Sequence, residues 1–277
     1  MLALFLLTLM LGAHTVALND CNVADQFENS CNSVKMKRLS DIIPQLTSPV
    51  VVTMANMGYA GMADNLLTSI ERVNCKPTVV LVCEDELIYE RFQDRDGVHV
   101  VLTEFERDLT EAQAFLSDGF KDLAKRRIWY VLRLLEAGLD TLYLDADTVW
   151  LQDPFPYFDG NFDLYVQQEE KIPYCSGMFF VKATEPSLRM VRYWKEHVHE
   201  GEGLQDQVVY NEAIRMTADL KLKGLPDLKF CGGEIYFKSI TPWQERKTKP
   251  VIVHATWQVG VPNKINKLKE CGLWFVD

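Results

Sequence analysis

Two aspartates separated by one small residue, Asp145 and Asp147, close the apolar run Leu142-Tyr143-Leu144. Side chains alternate faces along a strand, so residues i and i+2 share one face. Both carboxylates are therefore expected to point the same way at a strand's carboxyl end, where open α/β sheets bind ligands. Two carboxylates that close repel unless a cation or a shared proton lies between them. Oxygen-rich donor sets of this kind suit Mg²⁺ or Mn²⁺. The plainer alternative is a strand-end turn capped by aspartates.

The elements that must hold this pair read as alternating strands and helices. Val50-Val51-Val52 forms a first strand ending at Thr53, followed by a small-residue loop from Met54 to Gly61. Met62, Leu66, Leu67 and Ile70 then recur at helical spacing. A second strand covers residues 78–82, a polar helix residues 84–93 and a third strand residues 98–102. The longest helix runs from Asp118 to Gly138, with Phe120, Leu123, Ala124, Ile128, Leu132 and Leu135 on its apolar face and Gly138 suited to its C′ position. Lys121, Lys125, Arg126 and Arg127 crowd its first half, as either a solvated basic face or a phosphate-facing one. Further strands are expected at Asp163–Gln167 and after the loop residues Ser176-Gly177. Thr184 caps a helix with Pro186 in its first turn, and Asp206-Gln207 opens another. Gly232-Gly233 reads as a tight turn, Val251–Val253 as a last strand delivering His254, and residues 264–274 as a helical tail stopped at Gly272. This order implies an α/β fold, a mostly parallel sheet flanked by helices on both faces. No G-x-G-x-x-G follows the first strand, so a dinucleotide site is not supported.

The chain has 277 residues, 48% hydrophobic and 25% charged, which is enough for a globular domain with a sizeable core. A net charge of −10 argues against a nucleic-acid partner. Residues 1–17 are apolar and end in small residues, as in a secretory signal peptide or short signal anchor. Residues 18–48 read as a stem or N-terminal extension, and the domain is expected from 49 to 277. The seven cysteines are an odd number, so at least one thiol is left over in a secreted context. Cys21 and Cys31 flank a short polar loop and form the best intrachain pair. Cys75 and Cys83 are held about 26 Å apart by an extended segment and form a poor one.

Taken together, the helix and strand from Lys121 to Phe158, with Gly138, Leu144-Asp-Ala-Asp147, Trp150 and Asp153-Pro154-Phe155, resemble the nucleotide-diphospho-sugar transferase family (glycosyltransferase family 77 and its relatives, GT-A fold). Ser176-Gly177, Asp206-Gln207, His254-Ala-Thr-Trp257, Gly260, Lys264, Leu268 and Gly272-Leu-Trp274 extend the likeness to residues 49–277. The resemblance implies a single GT-A-like domain and a retaining sugar transfer from a nucleotide-sugar donor, a UDP-sugar, to a glycan or glycoprotein acceptor. It implies a divalent ion, Mn²⁺ or Mg²⁺, and a place in the Golgi lumen or among secreted proteins, with membrane attachment only through an N-terminal anchor. By resemblance, Asp145, Asp147 and His254 hold the metal, with Asp145 also near the ribose. Thr53, Lys125, Ser176, Gly177 and Gly260 belong to the nucleotide and sugar sites. Lys264 meets the departing diphosphate, and Asp206 or Gln207 steadies the sugar's developing positive charge. The chain departs from the family in having Cys175 where relatives commonly have Asn, and Thr256 where Asn is more usual.

Two other readings compete. Leu144 to Val149 fits the nucleophile motif of haloacid-dehalogenase-type phosphatases, with Asp145 attacking phosphorus and Asp147 as acid/base. That motif normally opens its fold, whereas here a complete βαβαβ run precedes it. A non-catalytic nucleotide-sugar-binding protein on the same fold is the second alternative.

Overall fold

Strand runs with little alternation are those buried on both faces, and four of them build one half of a seven-stranded sheet. They are β1 (Val50–Ala55), β2 (Thr78–Cys83), β3 (Val98–Leu102) and β4 (Thr141–Asp145). The computed structural model describes residues 36–106, 110–113, 117–169, 173–198, 206–238 and 241–277. The other half contains β6 (Leu164–Gln168), β7 (Tyr174–Val181) and β8 (Leu222–Gly224), and the full order is β3-β2-β1-β4-β7-β6-β8. All neighbours pair parallel except those of β7, which runs antiparallel to both β4 and β6. The expected α/β class with a mostly parallel sheet is the observed one.

Alternation within these strands divides the core. Val51, Leu81, Leu142 and Leu144 pack on one face beneath α2 (Ala60–Val73), which contributes Met62, Leu66, Leu67 and Ile70. Val50, Val52, Val80 and Tyr143 pack on the other, against Ile128, Val131 and Leu135 of α4 (Asp118–Glu136). Helices α5 (Glu185–His197) and α6 (Asp206–Met216) complete that face with Met190, Trp194 and Tyr210. Gly138 adopts φ 78° and ends α4 as anticipated, with the Leu139 amide donating to Leu134 O at 3.0 Å. Thr184 caps α5 by accepting from the Ser187 amide.

A second sheet, absent from the sequence reading, contains β5 (Thr148–Trp150), β9 (Phe230–Gly232) and β10 (Ile252–His254) in the order β5-β10-β9. Strands of three residues are too short to show a period. The chain passes from the large sheet to the small one between Asp145 and Thr148, and β10 runs antiparallel beside β5 with His254 opposite Thr148.

Several boundaries differ from expectation. Residues 36–48 are not an extension. Leu39 and Ile42 of α1 (Leu39–Ile42) are buried in the core, and the Leu102 amide donates to Lys37 O at 2.8 Å. Helix α3 (Glu86–Phe92) starts two residues late because Asp85 caps it, accepting from the Ile88 amide at 3.0 Å. Ser176-Gly177 lies within β7, not in a loop before it. Gly232-Gly233 is the junction of β9 with α7 (Gly233–Tyr236), not a tight turn. The tail helix α8 (Val261–Glu270) starts earlier than Lys264, set by Gly260 at its N-cap and Pro262 in its first turn. Cys75, Cys83, Cys175, Cys231 and Cys271 are unbridged. The apolar leader and the Cys21–Cys31 pair lie outside the described residues. Among the described residues no helix is long and apolar enough to cross a membrane.

Because Leu39 is 1% exposed, Leu39→Ala should lower unfolding free energy by about 2–5 kcal/mol, the usual cost of emptying a leucine site. Urea denaturation reads this directly. An unchanged midpoint would detach residues 36–48 from the folded body.

Candidate active site

The two aspartates flank the crossing between the sheets. Asp145 is the last residue of β4, and Asp147 stands in the turn before β5. Their convergence comes from that turn, not from strand alternation, and Thr148 Oγ1 pins it by donating to Asp145 O at 2.9 Å. β10 brings His254 alongside. Its Nε2 lies 3.2 Å from Asp147 Oδ1 and 3.8 Å from Asp145 Oδ2. One ligand atom from each of the three residues falls within 4.8 Å of the others. Two carboxylate oxygens and an imidazole nitrogen form a donor set matched to Mn²⁺ or Mg²⁺. Gly177 on β7 forms a wall of this cradle: a Cβ there would overlap Asp145 Oδ2 and stand 2.7 Å from His254 Cε1. The residues present fit a divalent ion.

Cations surround the buried Asp147 and the partly exposed Asp145. Lys264 of α8 pairs with Asp147 Oδ2 through its Nζ. Burial alone would raise the Asp147 carboxyl, but Lys264 and His254 outweigh it and hold the group well below the usual carboxylate range. Burial would likewise lower His254 and Lys264, and the facing aspartates raise both instead. Arg127 of α4 reaches Asp145 Oδ1 and Ser176 O at 3.1 Å each, and its other nitrogen lies 3.5 Å from Asp206. Burial opposes its charge, and Asp145 and Asp206 restore it and push its pKa up. Ser176 joins the same group. Its Oγ donates to Asp206 at 3.2 Å, and its amide donates to Gln207 Oε1 at 3.3 Å.

A cleft of about 650 Å³, open to solvent, lies over these groups and is lined by Asn56, Tyr59, Arg127, Asp145, Asp147 and Lys264 among others. The expected Asp145, Asp147, His254, Lys264, Ser176, Gly177, Asp206 and Gln207 thus come together. Thr53 does not line the cleft. β1 runs two residues past it, to Ala55, and leaves it fully buried. Gly260 caps α8 with φ 84° and is not a lining residue either. Lys125 also stays outside the lining, where Arg127 takes the position facing the cleft. The signal for Arg127 was present in the helical spacing. It follows Ala124 by three residues and precedes Val131 by four, on the buried face. Its neighbour Arg126 pairs instead with fully buried Glu84, so half of the basic run is internal rather than solvated.

The model of the nucleotide-diphospho-sugar transferase family matches residues 75–268. The chain belongs to that family, a family of glycosyltransferases. It is 29% identical over 255 residues to UDP-D-xylose:L-fucose alpha-1,3-D-xylosyltransferase 3 of Arabidopsis thaliana, an alignment covering 82% of this chain and 67% of the relative. It is 23% identical over 284 residues to the UDP-galactose:fucoside alpha-3-galactosyltransferase of Dictyostelium discoideum, covering 82% of this chain and 43% of the relative. Its fold matches a glycosyltransferase involved in glycosylation of the major capsid of PBCV-1 with TM-score 0.52 and 14% identity, covering 82% of this chain and all, 100%, of that one.

Gly177→Ala meets only the side chains of Asp145 and His254, so these must shift and the change falls on the donor set itself. Mn²⁺ affinity is expected to fall about 10-fold or more, the scale of disturbing the ligands' immediate support. Titration of free Mn²⁺ alongside circular dichroism measures it. Wild-type affinity in a folded variant would show that the ion does not sit against Gly177.

Proposed function

We propose that this chain is a metal-dependent, retaining glycosyltransferase. It would move a sugar from a nucleotide-diphosphate donor, a UDP-sugar, to a glycan or glycoprotein acceptor in the secretory pathway. The observation that carries the reading is the convergence of Asp145, Asp147 and His254 beneath a cleft that also presents Lys264. Support for a UDP-sugar and an α-linked product comes from the names of the relatives, which specify UDP-sugars and alpha linkages. The apolar residues 1–17 support the secretory pathway, Golgi or secreted.

In this account Asp145, Asp147 and His254 hold Mn²⁺ or Mg²⁺, which when bound supplies positive charge to the departing diphosphate. Lys264 releases Asp147 and pairs with phosphate oxygens as their charge grows. Asn56 and Tyr59 line the nucleotide side of the cleft, a role the sequence reading gave to Thr53. Ser176 and Gly177 border the sugar. Asp206 and Gln207, held by Ser176 and Arg127, stand where they can steady an oxocarbenium-like centre. Arg127 pairs with Asp206 and holds it in place for that purpose. The phosphatase alternative needs Asp145 free to attack, yet its Oδ1 already accepts from Tyr143 OH at 2.9 Å and from Arg127. A binding protein without turnover would leave donor intact.

Release of nucleotide from a panel of UDP-sugars with Mn²⁺ is the decisive assay. Chelator should abolish release and added Mn²⁺ should restore it, while Asp147→Asn should lower both metal affinity and turnover in a folded protein. Full release in chelator would contradict metal dependence. The anomer of the product, read by NMR, should match that of the donor; inversion would exclude the retaining course.

Lys264→Ala separates transition-state stabilisation from ground-state binding. A contact that strengthens as the bond breaks acts on kcat more than on donor affinity. The expected loss is roughly 2–4 kcal/mol of barrier stabilisation, the scale of one preorganised charge-stabilising group. Unchanged kcat in a folded variant would remove Lys264 from the chemistry.

A further inference from the structure

His254 can serve as a ligand through Nε2 only if its other nitrogen keeps the proton, and one buried side chain enforces that. Gln167 is fully buried on β6. Its Nε2 donates to Phe230 O of β9 at 3.2 Å, and its Oε1 stands 2.9 Å from His254 Nδ1. A backbone carbonyl can only accept, so the amide group of Gln167 must face Phe230 and its oxygen must face the imidazole. The reversed amide would set two acceptors against each other at Phe230 with no water to relieve them. Nδ1 must then keep its hydrogen, which leaves Nε2, facing Asp145 and Asp147, as the nitrogen that gives up its proton when a cation takes its place. Cys175 Sγ lies farther from the same nitrogen, at 3.7 Å, and accepts from the Gly177 amide.

The backbone is shaped for this contact. The pairing of β6 with β7 runs in register through Val166, then shifts between Val166 and Gln168, with the extra residues on β7 opposite Gln167. Such irregularities recur next to active sites. Leu164 and Val166 point into the core under α4, as expected of alternate residues. Gln167 points to the opposite side, where the small sheet lies. Phe230 pairs with Ile252 on β10, two residues before His254. One amide therefore ties the large sheet to the small sheet and orients the imidazole delivered by the small one.

We propose that Gln167 is a positioning residue that fixes the tautomer and orientation of His254, and thereby sets the affinity of the Asp145–Asp147–His254 site for a divalent cation. The inference rests on the metal-dependent reading above. Partners of metal-bound histidines typically affect affinity by about 10–100-fold, so Gln167→Leu should weaken Mn²⁺ binding by about that factor. Gln167→Glu, protonated in this buried setting, keeps both contacts, its O–H donating to Phe230 O and its carbonyl oxygen accepting from Nδ1, and should bind Mn²⁺ close to wild type.

The test is direct titration of Mn²⁺ by electron paramagnetic resonance of the free ion, on wild type, Q167L and Q167E, with thermal unfolding measured in parallel. Weak binding by Q167L together with retained binding by Q167E supports the proposal. Wild-type affinity in Q167L overturns it, and so does equal weakening in both variants, which would mark a purely structural contact. If Q167L does not fold, ¹⁵N NMR of the imidazole in Mg²⁺-loaded wild type decides. A protonated Nδ1 with a bare Nε2 supports the assignment, and a protonated Nε2 overturns it. Failure of wild type to bind Mn²⁺ would overturn the metal-dependent reading itself, a result distinct from loss-free binding by Q167L.

Discussion

Two aspartates forced together at a sheet crossing carry like charges that water does not fully screen, since Asp147 is only 6% exposed. Such a pair must be neutralised from outside. Three elements distant in sequence supply the means. Helix α4 extends Arg127 to Asp145, α8 brings Lys264 to Asp147, and β10 sets His254 between them. The site is thus a balance of charge in which Asp147, His254 and Lys264 set one another's ionisation. Removing one cation would strand a carboxylate, which is far costlier than losing a surface ion pair.

The same constraint accounts for the small residues and polar contacts around the pair. Gly177 on β7 must lack a side chain because Asp145 and His254 occupy the space a Cβ would take. Ser176, its neighbour, spends both its amide and its hydroxyl on Gln207 and Asp206. One strand therefore joins the cation cradle to the acidic pair at the start of α6. Arg127 makes the same connection from the other side, bridging Asp145 and Asp206. The groups assigned to the diphosphate and those assigned to the sugar are consequently one rigid network, which suits chemistry in which both ends of a bond develop charge together.

Much of this was legible in the sequence where segments were long. β1 through β4 and α2, α4 and α5 appear where apolar spacing and caps put them, because burial on two faces or one leaves a period that can be read. The aspartates, His254, Lys264, Ser176, Gly177, Asp206 and Gln207 were found through their order along the chain. What escaped notice lay in short or locally irregular segments. β5 and β9 are three-residue strands with no period, and although the strand carrying His254 was read, its pairing with them was not. Gln167 keeps the strand's alternation, but its partners lie on β9 and β10, which no pattern in the sequence places beside it. Asp147 owes its position to a turn. Thr53 was assigned to the nucleotide by resemblance, as the residue ending the first strand, and two further residues move the strand's end to Ala55. Lys125 was named by resemblance, and the helical face that turns Arg127 inward was not used to choose within the basic run. Residues 36–48 were taken as an extension because their polar composition hides the two apolar side chains, Leu39 and Ile42, that anchor them.

The central claim is that Asp145, Asp147 and His254 jointly hold a divalent ion against the donor's diphosphate. Anomalous diffraction from crystals grown with Mn²⁺ and UDP tests it most directly. The account predicts a manganese peak coordinated by all three residues and by diphosphate oxygens, with Lys264 turned from Asp147 to the phosphates. A peak elsewhere, or a nucleotide bound in the cleft with Lys264 still paired to Asp147 and no metal between the aspartates, would contradict it.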